Sequence, residues 1–87
     1  MLKIWAKTLV NKDKIQKDLL FTRPEPYAAD KFQQYLMEIC YEMDIPTPVV
    51  LKSHRHNFSQ FNTTRFRASD FVESVDFETL VLENVSD

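Results

Sequence analysis

The stretch "DKFQQYLMEICYEMD" (30–44) decides the fold. Phe32, Leu36, Ile39, Cys40 and Met43 recur at +4, +7, +8 and +11 from the first, which places them on one stripe of a helix. Gln34, Glu38 and Glu42 fall on the other side and should be solvated. Asp30 with Gln33 three residues on has the spacing of a capping box, and Tyr27 to Ala29 could add a turn before it. "DIPTP" (44–48) ends the helix, because Pro46 and Pro48 remove donors and disfavour αR in the residues before them.

Upstream, "LKIWAKTLV" (2–10) alternates at period two. Leu2, Ile4, Ala6, Thr8 and Val10 share one face; Lys3, Trp5, Lys7 and Leu9 share the other. "NKDK" (11–14) reads as a tight turn and "IQKDLLFT" (15–22) as a second strand, so the two predict an antiparallel hairpin. "RPEP" (23–26) breaks it off before the helix.

Downstream, "VVLKSH" (49–54) reads as a strand, with Val49, Leu51 and Ser53 opposite Val50, Lys52 and His54. "NFSQFN" (57–62) reads as a short helical turn capped by Asn57 or Ser59. "TTRFR" (63–67) reads as a short strand or extended piece. "SDFVESV" (69–75) offers Ser69 as an N-cap and early acids for a turn or two of helix. "DFETLVLENV" (76–85) closes as a strand with both faces apolar in its middle, the mark of a central position. The order β-β-α-β-(β)-β predicts an α+β fold: a mostly antiparallel sheet with one main helix packed on one face, a single small domain over 1–87.

Seven Phe, three Tyr and one Trp among 87 residues supply enough large side chains for a core. Glycine is absent, so Gly-rich phosphate loops and dinucleotide fingerprints are excluded and no cofactor is expected. Left-handed corners must then rest on Asn or Asp; Asn11, Asp13, Asp44, Asn57 and Asn62 are the candidates. Cys40 is the one cysteine; its place on the stripe makes it a core residue, and a reducing, cytoplasmic setting is expected. The N-terminal residues lack the pattern of a signal peptide, and no apolar run reaches the ~18 residues that span a bilayer.

"DIPTPVVLK" (44–52) followed by "DFVESVDFETLVLE" (70–83) resembles short proteins encoded by anaerobic Firmicutes. The resemblance implies a bacterial cytoplasmic protein and carries over no site residues.

Charge comes in blocks: net +4 over 1–24, −4 over 25–48, +4 over 49–67 and −6 over 68–87. Blocks of opposite sign in one small fold should meet, and the acidic tail should neutralise the protein's own bases before it meets a partner. The block 49–67 contains no acid and both histidines. Its Phe58, Phe61 and Phe66 should turn inward, leaving the basic residues outside.

Three constellations could carry function. In a strand, His54 and His56 would point the same way and could chelate zinc, with a third ligand from Asp70, Glu73 or Asp76. The plainer reading is two surface histidines. Second, Lys3, Trp5 and Lys7 share a face of the first strand and Lys52, His54 and His56 a face of the third; if these strands lie near each other they would line an open cationic sheet face around a tryptophan, and Arg55, Arg65 and Arg67 are the further candidate binding residues. Such a face suits single-stranded nucleic acid, which stacks bases on an aromatic and meets phosphate with Lys or Arg. Third, free strand edges could pair with a second copy. Catalysis has little support: Ser53 and His54 would sit on opposite faces of a strand, and a domain this small rarely encloses a pocket of ~300 Å³. The sequence therefore predicts a non-enzymatic protein-binding or adaptor module, with nucleic-acid binding and weak metal binding through His54 and His56 as alternatives.

Overall fold

The computed structural model describes residues 1–86. Four antiparallel strands form one sheet in the order β2-β1-β4-β3. They are β1 (Leu2–Val10), β2 (Lys14–Arg23), β3 (Thr63–Arg67) and β4 (Thr79–Asn84). Between the two hairpin halves run α1 (Phe32–Met43) and α2 (Lys52–Phe61). The α+β class, the main helix and the central position of the last strand are as the sequence predicts.

The β1–β2 hairpin forms because alternation gives each strand one apolar face. Leu2, Ile4 and Ala6 are buried and join the core with Phe21, Leu80, Leu82 and Phe66. Asn11, Lys12 and Asp13 turn the chain with φ of 46°, 64° and 67°. Lys12 in this region was not foreseeable from Asn/Asp preference, and a Cβ there is strained. A bulge falls between Thr8 and Leu9. Its polar groups are satisfied: the Thr8 hydroxyl donates to Gln16 Oε1 at 3.0 Å and accepts the Lys17 N–H at 3.1 Å.

Helix α1 buries the expected stripe and adds Tyr35. The Asp30–Gln33 capping box does not form. A 3₁₀ turn over Ala29–Lys31 leads into the helix, whose N-cap is Lys31 with no side-chain cap bond. The C-terminus follows the Schellman pattern on Asp44 (φ 57°): its N–H reaches the Tyr41 carbonyl, and the Ile45 N–H reaches that of Cys40 at 3.0 Å. Asp44 thus takes the place glycine usually fills.

The largest departure is α2. Residues 49–54 are not a strand; Lys52 begins a helix that runs through "NFSQF". The inward positions of α2 are His54 and Phe58, one turn apart. A histidine does not register as apolar, so the stripe was invisible to periodicity. Asn57 lies within this helix, not at a left-handed corner. Asn62 ends α2 at φ 60°, its N–H bonded to the Phe58 carbonyl at 3.0 Å.

The predicted helix over 69–75 reduces to a 3₁₀ turn, Ala68–Asp70. The Asp70 carbonyl, which a helix would commit to the residue four on, accepts the Val49 N–H at 2.8 Å instead. Phe71 and Phe77 pack edge to face with centroids 5.3 Å apart and pin this segment under the core. The last strand begins at Thr79, three residues later than predicted.

Both helices lie on the face that holds Leu2, Ile4 and Phe66. The other carries no described helix, although Leu9 and Val81 on it are only 6% and 5% exposed.

Candidate binding face

Register defines what the uncovered face presents. Trp5 stands opposite Leu20 on β2 and Glu83 on β4; Lys7 stands opposite Asp18 and Val81. Val81 in turn faces Arg65, and Thr79 faces Arg67. Residues paired across antiparallel strands share a face. The uncovered side therefore carries Lys3, Trp5, Lys7, Arg65 and Arg67 together, with Asp18 and Glu83 between them. Leu20 is 55% exposed there.

Trp5 is half-buried and held on three sides. Its Nε1–H donates to Asp18 Oδ2 at 3.0 Å. The Lys7 ammonium lies 3.8 Å from the ring centroid and 3.8 Å from Glu83 Oε1. A cation over an indole stabilises by ~0.5–1 kcal/mol when exposed, more when desolvated. Arg65 reaches Asp13 at 3.9 Å, an exposed contact that contributes little.

The remaining predicted site residues go elsewhere. Lys52, Arg55 and His56 are exposed on α2, so no sheet face unites them with Trp5. His54 is buried, 6% exposed. Its Nδ1 accepts the Leu51 N–H at 2.9 Å, its Nε2 lies 3.5 Å from Asp70 Oδ2, and its ring stacks on Phe66 at 4.2 Å. An imidazole with Nδ1 committed as an acceptor carries its proton on Nε2, facing the carboxylate. It caps the start of α2 from the third position, where no side chain of Leu51 could. The basis for a His54–His56 chelate is gone, because residues two apart on a helix diverge. Among the described residues no group of three His, Cys, Asp or Glu is placed to hold a metal ion.

Phe58 and Phe66 turn inward as expected; Phe61 does not, at 66% exposed. Cys40 is fully buried, and burial pushes its thiol up to about 11, with a hydrogen bond to Thr47 opposing in part. Such a thiol is a poor nucleophile. Two contacts join charge blocks of opposite sign: Lys7 with Glu83 and Arg23 with Glu38 at 3.1 Å. No described helix is long and apolar enough to cross a membrane.

Sequence reasoning missed the hollows. One of about 610 Å³ lies along α1 against Ile45 and Pro46, walled by Met37 and Tyr41. Another of about 450 Å³ lies between α2 and β3. Both exceed the size expected of so small a domain, but they are open surface grooves.

No protein-family model matches this chain, and no curated protein or solved structure does either.

Proposed function

We propose that this chain is a non-enzymatic protein-binding module of the bacterial cytoplasm that docks its partner on the uncovered sheet face. One observation supports it above the rest: a four-stranded sheet shielded by helices on one side presents a half-buried Trp5 among Leu20, Lys7 and Arg65 on the other. Tryptophan and arginine are the residue types that dominate binding energy at protein interfaces. Mixed charge around an apolar centre matches the polar rim such interfaces use.

Single-stranded nucleic acid suits this face less well. Base stacking needs an open ring face, and the Lys7 ammonium occupies one face of Trp5. Asp18 and Glu83 place carboxylates where phosphates would run.

A photo-reactive phenylalanine analogue at Leu20 tests the reading in the cell of origin. Val72, 89% exposed and outside the sheet, is the control position. Cross-links to a defined protein from position 20, absent from position 72 and lost in Trp5→Ala, support the sheet face. Identical products from both positions, or none from position 20, reject it.

A further inference from the structure

Strand β3 pairs with β4 on one side and stands at the end of the sheet on the other. Along it opens the hollow of about 450 Å³, lined by Asn57, Phe61, Thr63, Thr64, Arg65 and Arg67. Phe61 offers its ring to solvent there. Thr64 is 2% exposed and its hydroxyl has no hydrogen-bond partner. A buried hydroxyl left so is uncommon and calls for a reason.

Exposed edges invite another strand, and proteins commonly guard them with charge. Here the charge has one sign. The segment 49–67, which supplies both α2 and β3, contains four bases and no acid. The opposite edge is a poorer host: Arg23 of β2 bridges to Glu38 of α1, and Lys17 reaches the Met43 carbonyl, so α1 contacts lie across it.

We infer that the β3 edge, with the hollow beside α2, receives an extended acidic segment of a partner protein as a fifth strand. This deepens the protein-binding reading above and rests on its claim of a protein partner, not on the sheet face as the docking site. Strand addition draws affinity from main-chain hydrogen bonds and specificity from alternate side-chain positions. Thr63, Arg65 and Arg67 point to the uncovered face, while Thr64 and Phe66 point to the helices. The added strand therefore carries carboxylates at every second position, beside Arg65 and Arg67, and apolar side chains between them, toward the Phe61 hollow. The Arg65–Asp13 contact, with 60% and 73% of the side chains exposed, yields to a partner carboxylate at little cost.

The test titrates ¹⁵N-labelled protein with the peptide Glu-Val-Glu-Val-Glu-Val-Glu-Val and, separately, with Glu-Glu-Glu-Glu-Val-Val-Val-Val. The composition and charge are the same; only the alternation differs. The alternating peptide should shift and protect the amides of Thr63–Arg67 and the last turn of α2, and bind about tenfold tighter than the block peptide. The double variant Arg65→Glu with Arg67→Glu, both exposed positions, should lose that binding while keeping its circular dichroism. Equal affinity for the two peptides overturns the inference. Shifts confined to Lys3, Trp5 and Lys7 also overturn it, but leave the sheet-face reading standing. Protection along β3 without any Leu20 cross-link to a partner upholds the edge and removes the face.

Discussion

The Lys7 ammonium sits 3.8 Å from the centroid of the Trp5 ring. This contact fixes how the single tryptophan can be used. Any ligand that stacks on that side must first displace a cation tied to Glu83. Lys7→Ala should expose the ring, raise acrylamide quenching of Trp5 and lower stability by ~0.5–1 kcal/mol. Wild-type emission should not change with short oligonucleotides at low salt. Quenching of wild type that weakens as salt rises would return nucleic acid to first place.

His54 is a structural cap by its geometry. His54→Ala removes the acceptor for the Leu51 N–H and opens a gap against Phe66; it should cost ~2–3 kcal/mol. His54→Phe restores the volume and not the acceptor, so about half of that loss should remain. Urea midpoints measure both. Long-range proton–nitrogen spectra of the neutral protein should show the Nε2–H tautomer. The Nδ1–H tautomer contradicts this geometry.

The two phenylalanines of α2 should separate cleanly. Phe58 is 1% exposed and touches Tyr27 and Phe32, so Phe58→Ala should cost ~3–5 kcal/mol. Phe61→Ala should cost no more than ~0.5 kcal/mol. Comparable losses in chemical denaturation would mean that α2 is rotated from the orientation described.

Cys40 gives a pH signature. Its folded thiol, raised by burial to about 11 from an ordinary 9.0, keeps its proton after the unfolded thiol has lost it. The unfolded state then binds fewer protons, so this group's contribution to stability falls as pH rises between about 9 and about 11. Cys40→Ala should flatten the urea midpoint over that window relative to wild type. Disulfide reagents should label the native protein only as fast as it unfolds. Rapid labelling without unfolding contradicts the burial.

Lys12 is a β-carbon-bearing residue at φ 64° without the side-chain carbonyl that eases Asn or Asp there. Lys12→Gly should stabilise by up to ~1 kcal/mol, visible as a higher melting temperature. A lower one would show that the Lys12 side chain holds the turn in another way.

Local rules recovered whatever local rules control. The β1–β2 hairpin, the stripe of α1 and the bounds of β3 follow from periodicity and turn chemistry. Asp44 and Asn62 as left-handed corners follow from the lack of glycine. The reading failed where a long-range contact decided. Helix α2 begins because an imidazole replaces an N-cap side chain, and the helix after Ser69 is lost because Val49 takes its carbonyl. The site was half legible for the same reason. Lys3, Trp5 and Lys7 share a face by alternation alone. Arg65 and Arg67 join them because of the β3–β4 register, which no short stretch of sequence states. Lys52 and the histidines would reach that face only through a strand over 49–54, which is the start of α2 instead.

The seam between β1 and β4 joins residues made at opposite times. Ile4 is hydrogen-bonded alongside Asn84, so the first hairpin leaves the ribosome long before the neighbour that completes its layer. Until the closing strand emerges, Leu2, Ile4 and Ala6 have no finished cavity to enter. Nascent chains of this protein should therefore dwell in an adhesive, half-built condition that holding chaperones recognise.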